Sequence, residues 1–164
     1  MKLQKQIWLV ATLMLAAGIP ALAQVEQVAM RTTGIACGTC AAVSEIYLKR
    51  LPSISKVTIS ISKEAVMVSY KPGSSFQPAE LRDVLKKTDV GVTQIQISAR
   101  GRVEEQAGKR FLVAGKDRFL LTPSPNTPAL PAGSSVAVEG IVNDKPAPPA
   151  PMELRVMTFK VLPQ

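Results

Sequence analysis

The chain has no histidine and only two cysteines, Cys37 and Cys40, in 164 residues. Without histidine it builds neither a Ser-His-Asp triad nor an imidazole zinc site, and two cysteines fall short of a self-contained four-cysteine cluster. Most hydrolytic chemistry is thereby excluded, and the expectation is a protein that is not an enzyme. Aromatic residues amount to 4%. That leaves too few rings for the stacking platforms by which basic grooves hold single strands, so no nucleic-acid partner is expected. Charged residues make up only 20% against 46% hydrophobic, a balance that buries a core instead of remaining disordered. The length allows one ordinary domain or two small ones and rules out a large multidomain enzyme.

The longest apolar run, Ile7 to Ile19, is shorter than the roughly 20 residues that span a bilayer. Lys2 and Lys5 precede it, Pro20 breaks its helix, and Ala21-Leu22-Ala23 supplies small residues for cleavage. Residues 1–23 thus read as a secretory signal peptide, which predicts a periplasmic product with no stable membrane insertion after cleavage. No cysteine follows Ala23, so lipid attachment is not expected. Loss of Lys2 and Lys5 lowers the formal charge from +8 to +6, which suits an anionic surface or an acidic protein partner.

From residue 24 to 99 the apolar period switches between two and about 3.6 in a readable order. Val28, Met30 and Thr32 alternate with polar neighbours as in a half-buried strand that ends at Gly34. Val43, Ile46, Tyr47 and Leu51 fall at helical spacing, and Pro52 stops the helix. Two strands follow, with Val57, Ile59 and Ile61 alternating in the first and Val66, Val68 and Tyr70 in the second. Pro78 opens a second helix whose Leu81, Val84 and Leu85 form one face, and a last strand places Ile95 and Ile97 inward. The order βαββαβ predicts an α+β, ferredoxin-like unit: a four-stranded antiparallel sheet covered on one face by two helices.

Beyond residue 100 the composition changes, since eight of the 13 prolines lie between Thr122 and Pro151. Helices are disfavoured there. Strand-like runs at Arg110–Ala114, Arg118–Thr122, Ser135–Val142 and Glu153–Leu162 are separated by glycines. They predict a small all-β unit over 100–164, resembling an OB-type barrel with proline-rich loops.

One constellation carries chemistry: Gly34-Ile35-Ala36-Cys37-Gly38-Thr39-Cys40, at the junction of the first strand and first helix. Thiolate is both metal ligand and nucleophile, and the donors and dipole at a helix start stabilise it, so both thiols are expected to ionise more readily than free cysteine. The two-residue gap lets both sulfurs face one ion or bond each other. Two soft sulfurs without a carboxylate cluster suit a soft ion that accepts low coordination, whereas Zn(II) is less well served because it wants two more ligands. An open site of this kind permits ligand exchange, in which a partner's cysteine takes over the ion.

GIACGTC, followed by helix, hairpin, helix and strand, resembles the heavy-metal-associated domain, whose motif is usually written GMxCxxC. The likeness spans residues 25 to 99. It implies a ferredoxin-like module that binds Cu(I), or Hg(II) in periplasmic scavenging members, and passes the ion to a metal-transporting membrane protein or another metal-binding domain. Only Cys37 and Cys40 carry over as metal ligands, with Gly34 as the loop glycine. Ile35 stands where the family has methionine, a residue that packs beneath the loop. The facing stretch Thr88-Asp89-Val90-Gly91-Val92 holds neither the lysine of eukaryotic copper chaperones nor the aromatic of bacterial copper modules.

The same CxxC is open to two other readings in an oxidising compartment: a thiol-disulfide redox site or a structural disulfide. Thioredoxin-like sites carry an aromatic residue before the first cysteine, whereas Ala36 holds that position here. Of the remaining candidates, Met30, Met67, Met152 and Met157 read as core or gap-filling residues. Glu104 and Glu105, adjacent on a strand, point to opposite faces and do not act jointly. Lys49-Arg50 and Lys86-Lys87 read as solvated helix faces.

Overall fold

The computed structural model describes residues 22–146 and 149–163. The expected signal peptide lies outside the described residues except for Leu22 and Ala23. The elements run β1 (Gln24–Thr33), α1 (Gly38–Lys49), β2 (Ile54–Ser60), β3 (Ala65–Tyr70), α2 (Pro78–Lys86), β4 (Gly91–Gln106), β5 (Lys109–Ala114), β6 (Asp117–Thr122), β7 (Ser135–Asn143) and β8 (Met152–Val161). The first six reproduce the βαββαβ order, with strands arranged β2-β3-β1-β4 and every pairing antiparallel. No helix among the described residues is long and apolar enough to cross a membrane.

The second half has no linker before it, because β4 runs on for 16 residues through the expected boundary at residues 99 and 100. One edge of β4 pairs with β1 from Gly91 to Arg100 and then with β5 from Arg102 to Gln106. Its other edge pairs with β7 from Ile95 to Arg102. The circuit β4-β5-β6-β8-β7 returns to β4, so these five strands form a closed barrel in which only β6 and β8 are parallel. Gly101 sits at the hand-over from β1 to β5. A Cβ there would collide with the Val113 carbonyl, so a residue without a side chain lets the two backbones close the corner.

The buried side chains form one continuous cluster through both halves, from Val28, Leu81 and Ile97 under the helices to Leu112, Phe119 and Leu154 inside the barrel. Alternation along the strands accounts for most of it. Ala99, Val103, Val136 and Val138 face the barrel interior, while Arg102, Glu104 and Glu139 face water.

Two polar clasps strengthen the junction. Asp117, at the start of β6, accepts hydrogen bonds from the Ser75 hydroxyl at 2.6 Å and the Phe76 N–H at 2.8 Å. Burial pushes its carboxyl above the ordinary range, against the pull of those bonds. The Phe76 ring lies 6.0 Å from that of Phe119 and 6.3 Å from that of Tyr70. Burial also raises the Tyr70 phenol to about 12, although Gln77 N–H donates to it. On the other flank of α2, Arg82 grips Asp144 with two hydrogen bonds of 2.7 and 2.9 Å and donates a third to the Val92 carbonyl. Burial raises the Asp144 carboxyl, but the bond and charge of Arg82 outweigh it and hold the group below its usual value.

Three expectations about the core need correcting. In α1 the fully buried positions are Ser44 and Leu48, whereas Val43 and Ile46 are 37% and 51% exposed. Ile61 is exposed because β2 ends at Ser60 and leaves it in the turn, while Val57 and Ile59 of the same parity do face the core. Met67 and Met157 are exposed as well, so only Met30 and the half-buried Met152 fill the interior.

Candidate metal centre

The loop that carries the cysteines is fixed from both sides. Gly34 leaves β1 at φ +94, a left-handed conformation, and a Cβ there would stand 2.7 Å from the Asp89 carbonyl oxygen. Glycine thus serves both the backbone angle and the close approach of the facing loop. Ile35, only 1% exposed, anchors the loop in the core, and the Ala36 N–H turns back onto the Gly34 carbonyl at 3.0 Å. An apolar side chain of this size does what packing beneath the loop requires.

Cys37 is the N-cap of α1, with extended backbone at φ −140 and ψ 156. Its carbonyl accepts the Ala41 N–H at 3.1 Å, and its Sγ accepts the Cys40 N–H at 3.1 Å. A cysteine thus takes the capping role that serine, threonine or aspartate usually fills. The first turn of α1 contains no acidic residue, so nothing there competes with sulfur for the positive end of the helix. Cys40 follows within that turn, its Cα 5.3 Å from that of Cys37. Cys37 is exposed and Cys40 half-buried.

The two sulfurs are joined as a disulfide, and no free cysteine occurs among the described residues. The pair therefore binds an ion only after reduction by two electrons and two protons. Among the described residues no cluster of three or more cysteine, histidine or acidic side chains forms a metal cage.

The support behind the cysteines includes a contact that periodicity did not reveal. Thr88 donates its hydroxyl proton to the Leu85 carbonyl at 2.9 Å, so in its 2.7 Å contact with Ser44 it is the acceptor and Ser44 the donor. This chain ties the middle of α1 to the end of α2. It leads directly into Asp89, whose φ of +57 turns its carbonyl toward Gly34. A serine at helical spacing between apolar residues was the available signal, and it reads as a surface residue unless its partner 44 positions away is known. Glu105 and Glu104 lie at the far end of β4 and are both exposed, with Glu105 3.4 Å from Arg110.

No protein-family model matches the chain, and no curated protein matches it. Solved structures similar to it include the CopZ metallochaperone, at 19% identity and a TM-score of 0.38, covering 41% of this chain and 98% of that one. The yeast copper transporter domain Ccc2a is 16% identical with a TM-score of 0.38, over 41% of this chain and 90% of its own. The water-soluble region of the P-type ATPase CopA from Bacillus subtilis is 26% identical with a TM-score of 0.40, over 52% of this chain and 55% of that one.

Proposed function

We propose that this chain is an exported, non-enzymatic carrier of soft metal ions, which takes Cu(I), or alternatively Hg(II), between Cys37 and Cys40 and surrenders it to a partner by ligand exchange. The observation that carries the reading is the pairing of an exposed N-capping sulfur with a second sulfur one turn away, at a helix start free of acidic side chains. Donation from the Cys40 N–H to Cys37 Sγ stabilises charge on sulfur, the form that binds metal. Two thiolates satisfy a soft ion that accepts two ligands, whereas zinc would be left with half its shell.

Transfer follows from the open side. A thiolate of the partner attacks the held ion and gives a three-sulfur bridge. Cys37, the more exposed residue of the pair, then leaves as thiolate, and a second partner sulfur displaces Cys40. No proton or electron is consumed beyond those that adjust the thiols to solvent. The partner that fits is a metal-transporting membrane protein or another metal-binding domain with its own exposed dithiolate, and the place of exchange is the periplasm. The five-stranded barrel, with β6 parallel to β8, is of the OB type in our reading and holds the metal unit as part of one body.

The Cys37–Cys40 disulfide favours a second reading, a thiol-disulfide redox protein that uses the same pair. Competition for Cu(I) against a chromogenic chelator separates the two. The reduced chain is expected to withdraw one ion, and Cys37→Ser and Cys40→Ser each to weaken retention by at least about a hundredfold. Turnover of insulin disulfides by the wild-type chain without ion uptake would transfer the assignment to redox chemistry.

A further inference from the structure

A cavity of about 630 Å³ opens at one mouth of the barrel, far along the chain from the cysteines, between the end of β6, the β4–β5 turn and the proline-rich loop after Thr122. Its walls are aliphatic: Leu120, Leu121, Pro128, Ala129, Leu130 and Val156. The volume lies in the range of small-molecule sites, which are largely apolar with a few polar groups at defined places.

The loop over this cavity is held at several points, so the space is built in advance of any ligand. Arg110 Nη1 donates to the Leu130 carbonyl at 2.8 Å, Thr127 Oγ1 donates to the Met157 carbonyl at 3.0 Å, and the Gly133 N–H donates to the Val103 carbonyl at 2.7 Å. The prolines of the loop restrict its unbound conformations further.

The rim decides what chemistry fits. It carries Lys109, Arg110 and Glu105. Glu105 lies 3.4 Å from Arg110, which leaves Lys109 with no ion-pair partner among the described residues and one positive charge in excess. The lining contains no aromatic ring, which removes the stacking surface a nucleobase or other flat ligand would use. An aliphatic wall below an uncompensated ammonium matches a ligand with one saturated chain and one anionic end.

We propose that the barrel mouth is a binding site for a single-chain aliphatic carboxylate, with the chain against Leu121, Leu130 and Val156 and the carboxylate at Lys109. This site is independent of the dithiol and stands whether or not the metal reading does. The free carboxylate, and not an acyl chain within a bilayer, is the form the site fits, because one aliphatic cavity stands beside a single cation that has no ion-pair partner among the described residues.

Sodium dodecanoate, titrated below its micelle range into the isotope-labelled full chain, tests the proposal. Saturable amide shifts centred on Gly108, Thr122, Thr127 and Leu130 are expected. Ala129→Trp, which fills the cavity from an exposed position, is expected to weaken binding at least about tenfold. Lys109→Glu is expected to weaken it about fivefold and to leave dodecyltrimethylammonium no weaker than before. Should Ala129→Trp disturb the fold by circular dichroism, the Lys109 pair of measurements decides alone. Absence of saturable binding, equal affinity for the cationic amphiphile in the wild type, or binding to phosphatidylglycerol vesicles without binding of dodecanoate overturns the proposal.

Discussion

The two halves of this molecule solve the problem of sheet edges in opposite ways. In the first half an open sheet is covered on one face by α1 and α2, and β2 remains a free edge. The second half has no helix among its described residues and removes its edges by closing strand on strand into a barrel. The strand common to both is β4, whose outer edge would be open in the first half alone and is occupied by β7. The loop that carries Cys37 and Cys40 thus projects from a sheet braced on one side, and the brace is a folded barrel instead of solvent.

If the halves share a core as well as a strand, damage deep in one is felt in the other. Phe119, inside the barrel, touches the ring of Phe76 at the start of α2. Phe119→Ala is expected to cost about 4 kcal/mol, with urea unfolding followed by amide signals from α1 and β7 remaining a single transition. Separate midpoints for the two elements would show that the halves are joined in sequence but independent in stability.

A smaller and pH-dependent effect is expected at the Arg82–Asp144 clasp, where the Asp144 side chain is only 10% exposed. Asp144→Asn is expected to cost about 2 kcal/mol at neutral pH. The sign follows from the lowered carboxyl: the folded protein favours the ionised form, so the contribution is present above the ordinary carboxylate range and is lost as the pH falls through the folded value. Wild type and variant should therefore converge in acid, as chemical denaturation at a series of pH values would reveal. A constant gap at all pH values would mean that the clasp is a packing contact and not an ion pair. The smallest effect sharpens the contrast between the helices. Val43→Ser, at a position exposed in α1, is expected to change stability by less than about 0.5 kcal/mol. A loss of core magnitude would restore the helical face that spacing alone suggests.

These cases also mark how far the sequence can be read. In α2 the apolar residues Leu81, Val84 and Leu85 are the buried ones, and the dithiol stands at the strand-to-helix junction where the motif places it. In α1 and just past its end the reading holds for Tyr47 and Leu51, which pack against the core, and fails for Val43 and Ile46, which face outward while Ser44 is buried in contact with Thr88. Spacing finds a helix but does not find which polar residue has a distant partner. The continuation of β4 was written as alternation, with Ala99, Gly101 and Val103 inward and Arg100, Arg102 and Glu104 between them, yet small inward residues hide a strand that packs against close backbone. Four later strands and the proline-rich loops were visible, but the closure of the ring depends on β7 returning to β4, a pairing no local pattern records. The Arg82–Asp144 and Asp117 clasps join residues 62 and about 41 positions apart, and Arg82, Asp117 and Asp144 taken singly look like ordinary surface charges.

The central claim is that two sulfurs and nothing else from this chain hold the ion. X-ray absorption at the copper edge of the reduced, singly loaded chain tests it most directly. The account predicts a first shell of two sulfur neighbours with no nitrogen or oxygen from the protein. A shell of three or four protein ligands, or one that survives replacement of Cys37 by serine unchanged, would contradict it.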